Sequence, residues 1–144
     1  YFIKDFRMSM TLEQLQDKDT GAFHDALGAS PELASAVATV IIAGKKVASC
    51  GSLQSGQEQE ALPQPGGYSI VLNGEKQPVC VIRTTGLFLT RFDRVTPEMA
   101  MLEGEGDLSL DHWRQEHKRY FECEGYFHKE MELIFETFQL VEVV

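Results

Sequence analysis

The chain has 144 residues, a formal net charge of −9, 43% hydrophobic residues and 24% charged residues. This composition is typical of a globular domain, and no apolar run approaches the roughly 20 residues that a membrane-spanning helix needs. The acidic balance argues against strong non-specific DNA binding, because affinity for a phosphate backbone comes from Lys and Arg side chains.

Residues 1–21 are mostly polar, and we expect an extension or short helix with a mobile start there. Residues 22–144 predict a single domain. Within that domain, Phe23 to Leu27 predicts a short helix that ends at Gly28. The cysteines are odd in number and lack a Cys-x-x-Cys pair, which indicates free thiols in a reducing cytoplasm; they are Cys50, Cys80 and Cys123.

The clearest predicted helix begins at Ser30, an N-cap residue, with Pro31 in the first turn, where its missing N–H costs nothing. It ends at Gly44, and its apolar residues recur at helical spacing: Leu33, Val37, Val40 and Ile41. A strand is predicted next, over Lys46–Cys50. Residues 51–67 are rich in Ser, Gln, Glu, Gly and Pro, which predicts a long polar loop that serves as a lid or flap.

Two strands joined by a hairpin follow this loop. Tyr68 to Leu72 is the first strand, Asn73-Gly74 is a strong turn signal, and Pro78 to Thr85 is the partner strand. The second strand continues from Gly86 to Phe92 after a predicted bulge. Both strands are apolar on both faces, which favours a small curved sheet.

The last third of the chain predicts two helices and a closing strand. Thr96-Pro97 begins a short helix, and Ser109 caps a longer helix that ends near Glu122. Met131 to Val144 is predicted to be a long strand with apolar side chains on both faces. The predicted fold class is α+β, with a curved sheet or barrel flanked by helices.

An acidic, glycine-rich loop lies between these two helices. Glu103, Glu105 and Asp107 alternate with Gly104 and Gly106, whose backbone freedom suits a tight loop. Crowding raises the pKa of at least one such carboxyl group, which predicts a general acid or base, with Glu103 as the first candidate. Glu105 and Asp107 are candidate ligands for Mg²⁺ or Mn²⁺, although no cofactor is required. The alternative is a solvated loop that stabilises the next helix.

Lys46 and Ser49 are three residues apart at a predicted helix-to-strand junction. They face opposite sides of a flat strand and converge only where a turn or bulge bends the chain. If they converge, a desolvated Lys46 activates the Ser49 hydroxyl, or a charged Lys46 holds a phosphate. The alternative is a solvated Lys beside a strand Ser.

Other cations are candidate substrate-binding residues. Arg114 and His117 share one face of the second long helix, on which Trp113 and Tyr120 have the spacing of core residues. A basic patch is predicted from cations near Lys46 and after the hairpin: Lys45, Arg83, Arg91 and Arg94. Such a patch steers a short RNA; the alternatives are scattered surface charges and, for His117, a structural role.

The order of these motifs resembles the ASCH family. Residues 44–49, Gly-Lys-Lys-Val-Ala-Ser, are similar to the family's Gly-x-Lys-Thr-Ala-Thr segment. The chain departs from that segment where Val47 and Ser49 replace Thr. The family's second signature is similar to the residues around the acidic loop: Gly86–Phe92, Ala100–Asp107, Trp113, Arg114 and His117. The resemblance covers roughly residues 22–144 and implies a PUA-like barrel.

The resemblance also implies contact with RNA or a modified nucleoside. Cleavage of single-stranded RNA is the first expectation, with Lys46 as the cation, Glu103 as the base and Ser49 orienting the phosphate. The alternative is an amidohydrolase acting on N4-acetylcytidine, in which Ser49 is the nucleophile, Lys46 its activator and Glu103 the proton donor. A third expectation is an RNA-binding module without catalysis. The oligomeric state stays open, and a dimer is one expectation.

Overall fold

The structure is a computed structural model that describes residues 23–25 and 31–144. In chain order its elements are β1 (Phe23–Asp25), α1 (Pro31–Ile42), β2 (Ala48–Ser52), α2 (Leu53–Glu58), β3 (Tyr68–Leu72), β4 (Pro78–Arg91), a 3₁₀ turn (Phe92–Arg94), α3 (Pro97–Glu103), α4 (Leu110–Glu124) and β5 (Glu132–Val143). None of the described helices has the length and apolarity needed to span a membrane. The extension predicted over residues 1–21 lies outside the described residues.

One sheet organises the described residues. Its strand order is β1–β3–β4–β5–β2, and all neighbouring strands are antiparallel except β1 and β3. The four antiparallel strands curl into a half-barrel, and β1 adds a parallel edge. The predicted α+β class, with a curved sheet and flanking helices, is confirmed. The described sheet stays open, because β1 and β2 form its two edges.

The longest strands, β4 and β5, form the centre of the sheet. Their pairing shifts register between Val81 and Ile82 and again between Thr84 and Gly86. A register shift of this kind leaves an extra residue in one strand and bends it. The bend predicted at Gly86 is therefore present, and it helps the sheet to curl.

Helix α1 packs on one face of the sheet. Its buried residues Val37, Ala38 and Ile41 contact a set of apolar strand residues: Val71, Cys80, Ile82 and Phe138. Burial of each large apolar side chain contributes about 1.5–3 kcal/mol. We call these seven side chains the α1 cluster.

Helices α3 and α4 cover the other face. Their buried cluster combines helix, turn and strand residues: Phe92, Val95, Ala100, Trp113, Phe121 and Leu133. Leu133 belongs to this cluster and Phe138 to the α1 cluster, so β5 presents apolar side chains to both faces, as predicted. We call these six side chains the α4 cluster.

Three local predictions need correction. Residues 23–25 form a strand and not a helix, because their backbone pairs with residues 69–71 of β3, a contact that local composition does not reveal. Residues 51–67 are not one loop: Ser52 Oγ accepts from the Ser55 N–H at 3.1 Å and caps helix α2. The strand predicted from Lys46 begins only at Ala48, because the Lys46 N–H still donates to α1.

Candidate functional site

The Lys46 amine enters the site from the junction between α1 and β2. The N–H groups of Lys45 and Lys46 both donate to the Val40 carbonyl, at 3.0 and 3.1 Å, and close the end of α1. The Val47 N–H then donates to the Leu102 carbonyl at 2.9 Å, which fixes the junction against α3. The Lys46 side chain is 2% exposed. Its buried amine therefore requires partners from the protein.

Those partners come from the end of α3, where the chain turns sharply. Gly104 has a φ of 65°, and its N–H donates to the Met101 carbonyl. A Cβ at Gly104 would lie 2.2 Å from the Lys45 carbonyl oxygen. Only glycine therefore permits both the left-handed turn and the close approach of α3 to the α1–β2 junction. The backbone at Gly104 thus brings Glu103 and Glu105 to Lys46.

Lys46 donates to three acceptors in this loop. Its Nζ lies 3.2 Å from the Glu103 carbonyl oxygen, 3.4 Å from Glu103 Oε1 and 2.7 Å from Glu105 Oε2. An ammonium has three hydrogens, and these acceptors account for all of them. The arrangement therefore holds Lys46 as a charged amine that two carboxylates neutralise, and it does not favour an uncharged Lys46 acting as a base.

Glu103 is the centre of the site. It is 1% exposed; Lys46 and His117 approach its Oε1, and the Trp113 Nε1–H donates to its Oε2. Burial acts to raise the pKa of Glu103, but the hydrogen bond from His117, the charges of Lys46 and His117 and the hydrogen bond from Trp113 outweigh burial and lower that pKa. Glu103 is therefore an ionised acceptor that holds three donors in place.

His117 completes this hydrogen-bond network. Its Nδ1 lies 2.8 Å from the Trp113 carbonyl oxygen and its Nε2 lies 3.2 Å from Glu103 Oε1. A carbonyl and an ionised carboxylate can only accept, so both contacts suit a ring nitrogen that donates. The His117 ring stacks on Trp113 with a centroid distance of 4.1 Å and an interplanar angle of 15°. Hydrogen bonds and stacking together fix the imidazole.

These polar groups lie at one end of a pocket of about 550 Å³. Ser49 also lines this pocket, and its hydroxyl has no hydrogen-bond partner among residues 31–144. The remaining wall is largely apolar and comes from α1 and the outer turns of α4: Leu33, Ala36, Val37, Val40, Tyr120 and Cys123. The structure thus brings the predicted residues Lys46, Ser49 and Glu103 to one pocket, whereas their catalytic roles stay a prediction.

Most of the other predicted cations lie away from the pocket. Arg83 Nε donates to the Gly66 carbonyl at 3.2 Å, and Arg91 pairs with Asp93 at 2.7 Å and Glu130 at 3.2 Å. Arg91 lies eight positions after Arg83 along β4, a span of roughly 26 Å along a strand. Three further cations are exposed and outside the pocket lining: Lys45, Arg94 and Arg114. The structure does not gather the predicted basic patch around the pocket.

The two predicted metal ligands have partners of other kinds. Glu105 pairs with Lys46, and Asp107 Oδ1 accepts from the Ser109 N–H at 2.9 Å. The Mg²⁺ or Mn²⁺ site at these residues therefore stays a prediction. In the described part of the chain, one trio of side chains is close enough to share a metal ion, and it is a different set: Cys50, Glu103 and His117.

Several pocket residues were not predicted. Trp113 is 3% exposed, as the core prediction requires, but its indole N–H also binds Glu103. Cys50 and His112 line the pocket without any sequence motif of their own. The available signal was the four-residue spacing of Trp113 and His117, which places both on one helix face close after the acidic loop.

Comparisons with known proteins agree with this fold. The family model for the ASCH domain matches residues 23–142. No curated protein matches the chain significantly. The crystal structure of an ASCH domain from Lactobacillus crispatus is similar, with a TM-score of 0.81 and 31% identity, over 98% of this chain and 92% of that chain. A DUF984 family protein from Enterococcus faecalis is similar with a TM-score of 0.77 and 29% identity, over 91% of this chain and 85% of that chain.

These matches extend over nearly the whole chain. They share its curled sheet and flanking helices, so the PUA-like α+β fold is confirmed. The chain belongs to the ASCH domain family, a family linked to RNA binding.

Proposed function

We propose that the pocket binds an uncharged acylated nucleobase or nucleoside and hydrolyses its amide, with N4-acetylcytidine as the reference substrate. The main support is the neutralisation of the Lys46 ammonium by Glu103 and Glu105. Binding of a phosphate requires a cation that is not already compensated. A neutral amide instead requires polar groups in fixed positions, which this network supplies.

The charges of the pocket lining also favour a neutral ligand. Its basic residues, Lys46 and Arg119, face three carboxylates: Glu103, Glu105 and Glu116. Arg119 is 72% exposed and lies 3.4 Å from Glu116. The described lining therefore carries three carboxylates against two cations, a balance that disfavours a phosphate backbone. Cleavage of single-stranded RNA stays a prediction of the family resemblance.

The shape of the pocket suits a base with an attached sugar. Its volume of about 550 Å³ lies within the range of roughly 300–1,000 Å³ that small-molecule pockets occupy. The His117 and Tyr120 rings line it, and nucleobases stack on such side chains. The apolar residues of α1 form an opposite wall, which favours a flat and uncharged ring.

The proposed reaction begins at the Ser49 hydroxyl, which has no hydrogen-bond partner within the described part of the chain. Its oxygen attacks the amide carbonyl carbon while Glu105, which is 34% exposed, takes the hydroxyl proton. Lys46 stabilises the oxyanion, because its 3.4 Å contact with Glu103 Oε1 is long enough to be exchanged for the substrate oxygen. The C–N bond then breaks, Glu105 protonates the departing amine, and water hydrolyses the acetyl–Ser49 ester to acetate.

These roles differ in one respect from those that the resemblance implies. The resemblance makes Glu103 the proton donor, whereas its three donors and lowered pKa suit a carboxylate that positions Lys46 and His117. Glu105 has Lys46 as its single described partner and reaches solvent. We therefore assign proton transfer to Glu105 and positioning to Glu103.

The test is incubation with N4-acetylcytidine and measurement of cytidine and acetate by chromatography. Ser49→Ala and Lys46→Met should each lower kcat/KM by about 100- to 1,000-fold, the usual effect of removing one group that stabilises the transition state. Ser69→Ala, a half-buried strand Ser outside the pocket, and Lys45→Met, an exposed neighbour, are matched controls that should keep full activity.

The same preparations should be incubated with labelled single-stranded RNA, with and without EDTA. If the wild type shortens the RNA, Lys46→Met does not, and no acetate is released, then the activity is RNA cleavage and not amide hydrolysis. Retention of RNA on a filter, with neither shortened RNA nor acetate, would show that the chain binds RNA without catalysis.

The predicted compartment is compatible with this proposal. Cys50, Cys80 and Cys123 are free thiols, the state expected in a reducing cytoplasm. A cytoplasmic location and a nucleoside or RNA partner are therefore part of the proposal, and fractionation of cells expressing the tagged chain tests the first of them.

A further inference from the structure

Three ligand-forming side chains from different elements meet at the polar end of the pocket. Cys50 comes from β2, Glu103 from the end of α3 and His117 from α4. The Cys50 Sγ, a Glu103 carboxylate oxygen and a His117 ring nitrogen all lie within 4.8 Å of one another. No other trio of His, Cys, Asp or Glu side chains among the described residues is this close.

The three side chains are already oriented by further contacts. His117 Nδ1 is bound to the Trp113 carbonyl, so Nε2 is the nitrogen directed at Glu103. A His that ligates a metal commonly donates its other ring N–H to a carbonyl in this manner. The Trp113 indole holds Glu103 Oε2, which leaves Oε1 on the side of His117. The polar groups around the trio are therefore arranged as they are around a metal site.

We propose that Cys50, Glu103 and His117 form a binding site for Zn²⁺, with a fourth coordination position open to the pocket. Thiolate, imidazole and carboxylate are the ligands that Zn²⁺ prefers, and three of them with one open position is the usual arrangement of an accessible zinc site. Ligand atoms about 2.0–2.3 Å from zinc in a tetrahedron lie roughly 3.3–3.8 Å apart. The present separations, all within 4.8 Å, exceed these values by about 1.5 Å at most.

The charges of the three side chains suit a divalent cation. A Cys50 thiolate and the Glu103 carboxylate together balance one divalent ion, and a neutral His117 imidazole adds no charge. Lys46 has its shorter contact, at 2.7 Å, with Glu105.

This site is distinct from the Mg²⁺ or Mn²⁺ site predicted at Glu105 and Asp107. It includes the soft sulfur of Cys50, which favours Zn²⁺ or Co²⁺ over Mg²⁺. Its occupancy also does not depend on the proposed amide hydrolysis, because metal binding and turnover are measured separately. The experiments can therefore show a zinc site without hydrolysis, and they can equally show hydrolysis without a zinc site.

The test is titration of the EDTA-treated and desalted full chain with Co²⁺ under reducing conditions. A thiolate–Co²⁺ bond gives a charge-transfer band in the near ultraviolet, and a tetrahedral ion gives intense visible bands. We expect both to saturate at one ion per chain and to disappear when Zn²⁺ is added. Absence of the charge-transfer band in the wild type would overturn the proposal.

Two variants locate the sulfur ligand. Cys50→Ser should abolish the charge-transfer band, whereas Cys123→Ser, which removes the exposed pocket thiol on α4, should leave it unchanged. Persistence of the band in Cys50→Ser, or its loss in Cys123→Ser, would contradict the assignment. Circular dichroism establishes that each variant is folded.

A measurement on the unmodified chain avoids any folding defect of the Cys50 variant. Equilibrium dialysis of the reduced and desalted full chain against Zn²⁺, followed by metal analysis, counts the bound ions directly. We expect one zinc ion per chain. A chain without bound zinc would contradict the site.

Discussion

The two hydrophobic clusters differ in what surrounds them. The α1 cluster contains only apolar side chains, from Val37 on the helix to Phe138 on β5. The α4 cluster includes Trp113, which binds one member of a fully buried ion pair, Lys46 and Glu103, whose side chains are each 2% exposed. The α1 cluster therefore needs volume and shape, whereas the surroundings of the α4 cluster also need directional partners for charge.

This difference explains where the domain can hold a site. Apolar packing tolerates exchanges that preserve volume, because dispersion and hydrophobic burial are not directional. A buried charge tolerates few changes, because a carboxylate without its donors is strongly disfavoured. The hydrogen bonds of the pocket keep Lys46, Glu103 and His117 in one arrangement, and the α1 cluster contributes stability.

The largest effect on stability should come from the α1 cluster. Phe138→Ala is expected to lower the free energy of unfolding by about 3–5 kcal/mol, because it leaves a cavity in the α1 cluster. The folded fraction should keep its turnover of N4-acetylcytidine. Urea denaturation measures the loss, and Phe88→Ala is the control because Phe88 is 45% exposed. Equal losses in the two variants would show that the α1 cluster is not the main source of stability.

A smaller loss of stability with a larger loss of function should come from Glu103→Gln. The amide has the same shape but lacks the charge that Lys46 and His117 need, and the free energy of unfolding should fall by about 1–3 kcal/mol. Turnover should fall at least 100-fold, since the position of Lys46 depends on Glu103. Glu98→Gln, an exposed change in the same helix, is the control. Full activity of Glu103→Gln would show that the Glu103 carboxylate is not needed for turnover.

No measurable effect is expected from Arg91→Ala. Arg91 forms exposed ion pairs with Asp93 and Glu130, and such pairs are screened by water and salt. Its denaturation midpoint and its turnover of the nucleoside should match those of the wild type. A loss of RNA binding in this variant, measured by filter retention, would instead support the basic patch that the sequence predicts.

The last prediction concerns alkylation of the unmutated chain, which tests whether the Cys80 thiol is buried. Burial raises the pKa of the Cys80 thiol to about 12, and Cys80 is 0% exposed, whereas Cys123 is exposed. At pH 8 Cys80 should therefore lack the reactive thiolate, and iodoacetamide should modify Cys123 and spare Cys80 until denaturant is added. Peptide mass spectrometry measures both rates. Rapid modification of Cys80 in the native chain would show that the α1 cluster opens readily.

Local signals in the sequence were sufficient for several elements. The helical spacing and Gly44 gave the course of α1, and Ser109 gave the start of α4, where its hydroxyl accepts from the His112 N–H. The turn signal at Asn73 also holds, since its Oδ1 accepts from the N–H groups of Glu75 and Gln77. These features depend on neighbours within a few residues.

The sequence did not reveal contacts between residues that are far apart in the chain. Strand β1 exists through its backbone pairing with β3, and the three residues of β1 are too few to show a period. Helix α2 carries Gly56 in its interior, which local propensity disfavours, although Ser52 was an available capping signal. The sequence likewise did not show that Arg83 and Arg91, two residues of the predicted basic patch, lie at distant points of one long strand, β4.

The sequence by itself determined the order of the elements, the faces of β5 and the residue types available for chemistry, because periodicity and capping are short-range properties. Only the tertiary structure decided that Lys46 and Glu103, which are 57 residues apart, form a buried pair. It also decided that Trp113 is both a core residue and a hydrogen-bond donor to that pair. The physical reason is that the close approach at Gly104 and the packing of α4 fix these contacts, and no local pattern encodes either distance.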